Sequence, residues 1–579
     1  MIEERSETRH NMRITWDMAI PMDDGIVLRC DVFRPVAEGR YPVIMTQGAY
    51  GKSLDFRELH RHAWERMAAE HPDTMAGSTN SYPNWEVVDP EKWVPDGYVV
   101  IRVDARGSGR SPGYLNPWSP REIRDYHDCI EWAARQPWSN GKIGLNGISY
   151  YARTQWYVAA LQPPHLAAIC VWEGAYDCYR DITRHGGIVS DFMLSMFPRQ
   201  IMNVQHGVGE RGPKSRWDGE LVAGPETLSD AELAKNRADM AQWIVDHALD
   251  DQVHRERTPD MDKITVPLLS AGNWGGHGLH LRGNIDGFVR AASTRKWLEV
   301  HGDTHWTHFY TDYGVAMQKR FFGHFLKGEK TGWENQPPVL LQVRHLDRFV
   351  ERPEREWPLA RTRWTRFHLD PATRELTREA PRGEARLEYE AMGNGLAFVT
   401  PPFEAETEIT GPVALTLTVS SSTNDADFFP TLRLFAPDGQ EVVFQGASDP
   451  RAALAYGWLR ASHRKLDPKL SLPYHPYHTH DEAQPLRAGE PVEVQIEIWP
   501  TSIVVPKGYR IGLTIQGRDC DPEDPPTRIG SVDYKPRATV GPFRHNHPKD
   551  RPPAIFGGSN ALHFGGARQN CLLLPIIPG

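Results

Sequence analysis

The stretch Lys142-Ile143-Gly144-Leu145-Asn146-Gly147-Ile148-Ser149-Tyr150-Tyr151 decides how this chain is read. A short apolar run stops at Asn146-Gly147, a single serine falls on the bend, and a helix-forming segment follows over residues 152–161. A strand, a sharp turn and a helix present a nucleophile in this way. A serine hydroxyl is weak until a base takes its proton, and a strained turn at the carboxyl edge of a sheet leaves Oγ open to both base and substrate. Gly147 fits because a Cβ two residues before the serine would crowd the turn. The usual pattern is G-x-S-x-G, and Tyr151 stands where its last glycine belongs. On these ten residues alone, a buried serine at an ordinary strand-to-helix junction is an equal alternative.

The flanking sequence supports the sharper reading. Residues 41–46 and 97–103 are short β-branched runs, and the second ends at Asp104-Ala105-Arg106-Gly107-Ser108-Gly109-Arg110-Ser111. A helical pattern over residues 125–136, with Ile130, Trp132 and Ala133 on its apolar face, separates that loop from the serine strand. Strand, loop, helix, strand, bend and helix is the rhythm of a parallel α/β sheet. Ligands meet such sheets at the carboxyl ends of their strands, where Ser149 is expected to lie.

At 579 residues the chain is too long for one core, so two or three domains are expected. Its net charge of −9 is mild and its Lys and Arg are scattered, which excludes a nucleic-acid surface. The first residues, Met1-Ile2-Glu3-Glu4-Arg5-Ser6, are polar, and no run of about 18 apolar residues occurs. A cytoplasmic protein without membrane attachment is expected. Cys30, Cys129, Cys170, Cys178, Cys520 and Cys571 have neither the spacing of a disulfide framework nor that of a metal knuckle, and read as reduced, buried thiols.

The organisation changes twice along the chain. Residues 181–262 turn helical and polar, with 230–248 the clearest amphipathic stretch, and read as a cap inserted over the sheet. Strand signals return at 266–270 and 296–301, followed by a predicted helix over 315–326. After Gln336-Pro337-Pro338 the pattern becomes all-β, with predicted strands at 339–343, 413–419, 432–435, 492–498 and 510–515. The expected division is therefore 1–180 core, 181–262 cap, 263–335 core again, and 336–579 a β-sandwich. His475, His478 and His480 lie in a proline-rich loop without helical spacing, and read as solvated rather than as zinc ligands. No metal and no cofactor is implied.

Met22-Asp23-Asp24-Gly25-Ile26-Val27-Leu28 with Val32-Phe33-Arg34-Pro35, then Gly48-Ala49-Tyr50-Gly51-Lys52, the Asp104–Ser111 segment and Gly147-Ile148-Ser149-Tyr150 occur in that order. With Gly411-Pro412-Val413, Ala436-Pro437-Asp438-Gly439, Lys507-Gly508-Tyr509-Arg510 and the closing Leu572-Leu573-Leu574-Pro575, the set resembles the Xaa-Pro dipeptidyl-peptidase and cocaine esterase family of serine hydrolases. The resemblance spans nearly the whole chain. It implies an α/β-hydrolase core with a mostly parallel sheet, a helical cap, a C-terminal jelly roll, and acyl-transfer chemistry.

Acyl transfer needs a base, a group that orients the base, and donors for the oxyanion. By analogy with the family's strand-to-loop histidine, His305 in His301-Gly302-Asp303-Thr304-His305-Trp306 is the expected base, ahead of His301 and His308. The backbone N–H of Tyr150 supplies one oxyanion donor, and the resemblance assigns the other to the Tyr50 hydroxyl. The orienting acid departs from the family pattern, because Ala271-Gly272-Asn273-Trp274-Gly275-Gly276-His277 has Gly275 where aspartate usually stands. Glu173, at the tip of the strand after the nucleophile helix, is the expected substitute. Asp177, Asp303 and Asp286 are the alternatives, Asp177 reading better as a partner for Arg180. Two function classes stay open here: a hydrolase of small esters, amides or short peptides, with an Xaa-Pro aminopeptidase as runner-up, and a degenerate fold that only binds. A homo-oligomer is compatible with the sandwich domain and the 19 tryptophans.

Overall fold

The computed structural model describes residues 3–529 and 532–579. An eleven-stranded sheet organises the first domain. Its strands are β1 (Arg5–Arg9), β2 (Met12–Pro21), β3 (Val27–Pro35), β4 (Tyr41–Gly48), β5 (Val99–Asp104), β6 (Ser139–Ile148), β7 (Leu166–Trp172), β8 (Leu268–Asn273), β9 (Lys296–His301), β10 (Val339–Arg344) and β11 (Phe349–Glu354). They lie in the order β1-β2-β3-β5-β4-β6-β7-β8-β9-β10-β11. The run from β5 to β10 is parallel, and antiparallel strands close both edges.

The central strands carry apolar residues on both faces because both faces are covered. One face holds Val43, Met45, Ile101, Ile143 and Leu145 against helices α1 (Pro120–Ala134) and α2 (Tyr150–Ala160). The other holds Ile44, Val100, Ile148 and Ala168 against α4 (Asp312–Phe322), while α3 (Leu281–Arg290) follows β8. Ser119 caps α1 by accepting from the Glu122 amide, with Pro120 in the first turn, where its missing N–H costs nothing.

The domain boundary expected at 336 needs correction. Val339–Arg344 does not open the sandwich: Leu298, Glu299 and Val300 of β9 pair with Val339, Leu340 and Leu341 in parallel, and β11 then caps the edge. A short apolar run buried in a parallel sheet cannot be told by periodicity from a sandwich-core strand. The all-β domain begins with Arg363–Leu369 and consists of a seven-stranded and a six-stranded antiparallel sheet that share one core, with Leu415, Leu417 and Val494 from the first facing Leu432, Leu434 and Leu513 from the second. Its longest strand, Thr407–Ser421, carries a bulge at Gly411 and Val413, which is where a proline, Pro412, is tolerated inside a strand.

The cap is built of short helices, among them Asp191–Met196, Asp230–Lys235 and Met240–Asp246. The single amphipathic stretch expected over 230–248 is split, because Asn236 and Ala238 exchange backbone hydrogen bonds with Leu115 and Asp239 then caps a new helix. A second insertion, between β4 and β5, holds Phe56–Leu59 and Arg61–Glu70 and roofs the same end of the sheet. Among the described residues no helix is long and apolar enough to cross a membrane.

Candidate active site

Ser149 lies between β6 and α2 with φ 55° and ψ −113°, a backbone conformation that a residue with a Cβ adopts at a cost of about 1–3 kcal/mol. The surroundings enforce it. The Ser149 amide donates to the carbonyls of Trp172 and Glu173 at 3.2 and 3.1 Å, and Ile148 donates to the Glu86 carbonyl at 2.9 Å. A Cβ on Gly147, whose φ is +152°, would sit 2.6 Å from Cβ of Tyr151. Tyr151 replaces the usual last glycine without crowding because Gly48 opposite it has no side chain; a Cβ there would lie 2.6 Å from the Tyr151 ring.

Ser149 opens into a cavity of about 420 Å³ where the core, the cap and the β-domain meet. Its walls include Tyr50, Trp85, Glu86, His280 and His305 from the core, Phe192 and Met196 from the cap, and Phe543 from the β-domain. Tyr50 is buried and lines the same cavity as Ser149; burial and then the nearby Glu86 push its pKa well above the ordinary phenol value, so it stays a donor. The side chain of Tyr150 turns elsewhere and donates to Glu122 at 2.7 Å, leaving only its backbone at the elbow. Tyr150 N–H belongs to the first turn of α2, where amides have no partner within their own helix.

Glu173 is fully buried at the tip of β7. Its Oε2 lies 2.8 Å from His305 Nδ1, and its Oε1 lies 3.1 Å from His301 Nε2 and accepts from Asn273 Nδ2 at 3.2 Å. His301 Nδ1 in turn meets Glu299 at 2.7 Å. Burial alone would raise the Glu173 pKa, yet the two imidazoles hold it down at about 2. Burial likewise opposes charge on the rings, but the carboxylates raise His305 to about 10 and His301 to about 9.

The other candidate acids are engaged elsewhere. Asp177 caps the turn at Cys178–Thr183 and pairs with Arg180 at 3.0 Å, Asp303 pairs with His71 at 3.0 Å, and Asp286 accepts from the Tyr176 hydroxyl at 2.5 Å. His308 packs beside His301, with ring centroids 5.1 Å apart and planes tilted by 60°, and does not line the cavity. The proline-rich loop is not solvated as expected: His478 and His480 are buried, His480 meeting His463 at 3.0 Å, while the half-buried His475 approaches Glu497 at 3.6 Å.

Two site residues escaped the sequence reading. Glu86, with φ 65°, presents Oε1 to His305 Nε2 at 3.0 Å, and burial raises its pKa despite the neighbouring imidazole. Its position comes from the chain path of the insertion before β5, for which the sequence carries no motif. His280 places Nε2 3.2 Å from Ser149 Oγ and stacks on His305 with centroids 5.2 Å apart and planes 12° from parallel. The run Gly275-Gly276-His277-Gly278-Leu279-His280 could have drawn attention to it, since two histidines lie in a glycine-rich loop at the carboxyl end of β8.

Comparison with known proteins agrees with this architecture. Residues 24–310 match the X-Pro dipeptidyl-peptidase (S15 family) pattern, and residues 331–573 match the X-Pro dipeptidyl-peptidase C-terminal non-catalytic domain. A cocaine esterase from Rhodococcus sp. is 26% identical over 98% of this chain and 99% of its own length, and a putative Xaa-Pro dipeptidyl-peptidase from Streptomyces avermitilis is 23% identical over 75% and 69%. The crystal structure of a CocE/NonD family hydrolase from Staphylococcus aureus superposes with a TM-score of 0.81 at 32% identity, covering 98% of this chain and 94% of that one. With its α/β-hydrolase core, cap and C-terminal jelly roll, the chain belongs to the X-Pro dipeptidyl-peptidase and cocaine esterase (CocE/NonD) family of serine hydrolases and is an enzyme of that class.

Proposed function

We propose that the enzyme hydrolyses an ester or amide through an acyl-enzyme on Ser149, with His305 as general base, Glu173 as its orienting acid, and Tyr50 hydroxyl with Tyr150 N–H as the oxyanion donors. The observation that carries this reading is the 2.8 Å contact between Glu173 and His305 Nδ1 on the wall of the cavity that Ser149 enters. A carboxylate at Nδ1 keeps the proton there and leaves Nε2 as the acceptor, which is what a base toward Ser149 requires. In acylation Oγ attacks the carbonyl carbon, its proton passes to His305 Nε2, the carbonyl electrons move to the oxygen facing Tyr50 and Tyr150, and the leaving group takes the proton as it departs. Water repeats the sequence from the other side. For Nε2 to serve, it must exchange the Glu86 carboxylate for Ser149, so Glu86 restrains the base in the resting state.

Trp85, Phe192, Met196, Leu279 and Phe543 give the cavity an apolar wall that favours an uncharged acyl group beside the polar Arg199 and Gln200, and the cap carboxylates Asp191, Glu220 and Glu226 do not line it. One observation favours the aminopeptidase alternative: Glu86 Oε2 is buried and meets no geometric hydrogen-bond partner among the described residues, and a carboxylate at that place suits a substrate ammonium. The six cysteines, all buried and free, fit a reducing, cytoplasmic setting. A fluorophosphonate probe tests the central claim. Stoichiometric labelling of Ser149, abolished in Ser149→Ala, is the expected result; an unlabelled wild-type protein would refute it.

A further inference from the structure

We propose that His280 is a second catalytic imidazole, a neutral hydrogen-bond donor to Ser149 Oγ that assists release of the acyl group; this rests on the acyl-enzyme reading above. His280 Nδ1 lies 3.3 Å from the amide nitrogen of Ala175. A backbone amide can only donate, so Nδ1 accepts and the ring proton sits on Nε2. That Nε2 is the atom 3.2 Å from Ser149 Oγ, so the contact is Nε2–H donating to the serine oxygen. A ring in this tautomer cannot take the serine proton, which separates its role from that of a base.

The surroundings hold the tautomer in place. His280 is 4% exposed, at the start of α3, and its ring is stacked on His305, so the two imidazoles stand side by side on the wall of the cavity that Ser149 enters. Burial, reinforced by the neighbouring His305, keeps its pKa well below the ordinary imidazole value. A neutral imidazole whose second nitrogen is fixed by a backbone N–H is a good electrophilic donor because it can stabilise charge without giving up its proton.

The donor matters most in deacylation. Water attacks the acyl carbon while its proton passes to His305; the tetrahedral intermediate then collapses, the bond from the acyl carbon to Oγ breaks, and its electron pair returns to Oγ. Negative charge grows on Oγ until His305 returns the proton, and the His280 Nε2–H already points at it. Before attack, the same bond occupies one lone pair of Oγ and turns the hydroxyl proton toward the base.

The test uses the full-length enzyme and its variants His280→Ala, His280→Leu and His280→Gln with a p-nitrophenyl ester. We expect all three variants to label with fluorophosphonate at Ser149, which also certifies their fold. In His280→Ala and His280→Leu, steady-state turnover falls about 10²-fold, the loss typical of one donor at a developing oxyanion. The product then appears as a stoichiometric burst, and intact mass shows acyl-Ser149 accumulating. His280→Gln, which restores a neutral N–H, recovers part of the rate. Turnover at the wild-type rate without a burst in His280→Leu overturns the proposal. Loss of labelling in the His280 variants while His305→Ala still labels also overturns it, by making His280 the base. Failure of the acyl-enzyme reading is seen separately, as a wild-type protein that does not label.

Discussion

Replacing Glu86 by glutamine tests whether the resting enzyme holds its own base in check. His305 lies between two carboxylates, 2.8 Å from Glu173 and 3.0 Å from Glu86, and titrates at about 10. A base with that pKa is neutral in only about 0.3% of molecules at pH 7.5. Glutamine keeps the shape and one acceptor oxygen but removes the charge. Attraction across 3.0 Å at an effective dielectric of about 20 is roughly 5.5 kcal/mol, and the burial that raises the Glu86 pKa offsets much of it. A residue of about 1.4–2.7 kcal/mol corresponds to one or two pKa units. The neutral fraction of His305 then rises about 10- to 100-fold, and since a weaker base is a poorer one, the net gain at pH 7.5 is about 3- to 10-fold. The assay is the pH profile of kcat/KM for an uncharged p-nitrophenyl ester, which reports the free enzyme's ionisations. Its acid limb should move down by about one to two units in Glu86→Gln. An acid limb that stays in place, or loss of ester hydrolysis in a folded variant, would refute the restraint of His305 by Glu86.

Three further outcomes follow from the same geometry. Glu173→Gln should lower kcat by about 10⁴, as when an orienting acid becomes an amide, and adding Gly275→Asp should not restore it, which a steady-state esterase assay of the two variants checks. Tyr50→Phe should lower kcat by about 10²–10³, or about 2.7–4 kcal/mol, with KM little changed, because the hydroxyl is needed only once the oxyanion forms. Stability should follow pH in a predictable direction. Glu173 is depressed to about 2, so its contribution is present above the ordinary carboxylate range and disappears as pH falls through 2; His305 and His301 are raised to about 10 and 9, so theirs is complete below the ordinary imidazole pKa of about 6.5 and fades as pH rises through 9 to 10. Calorimetric Tm should therefore decline from pH 6.5 to 10, and less steeply in Glu173→Gln.

What could be read from the sequence is what local rules govern. The serine turn was legible because Gly147, Ser149 and the change from apolar run to helix lie within ten residues. The strands from β4 to β9 were legible because burial on both faces makes each a short apolar run. The carboxylate at 173 was placed by the same logic, since it ends such a run, and its contact with His305 joins positions 132 residues apart. Nothing local could have found Glu86. Its contact with His305 spans 219 residues and depends on how the insertion between β4 and β5 folds back over the sheet. The role of Val339–Leu341 was misread because a strand pattern states its burial but not the sheet it joins.

The glycine at 275 has a physical cause that lies in the other domain. Gly275 sits at the end of β8, and a Cβ there would come within 2.6 Å of the Gly446 backbone and 2.7 Å of the Ala447 amide. The Ala447 amide donates to the Gly275 carbonyl at 3.0 Å, and the His305 amide donates to the Ala447 carbonyl at 3.0 Å, so one β-domain loop stitches together the two core loops that carry the site. Ala447 and Ser448 then form part of the cavity wall. Seating this loop so closely leaves no room for a side chain at 275, and the carboxylate that meets His305 Nδ1 comes from the neighbouring strand instead. Glu173 meets that requirement with a longer side chain and a φ of 44°, held by its own amide on the Ala271 carbonyl at 2.7 Å and by its carbonyl on the Ser149 amide. Glu173, which meets His305 Nδ1, is thereby tied by backbone to Ser149 as well. A domain matched to a non-catalytic family pattern thus shapes the site by contact, denying position 275 the room a carboxylate would need.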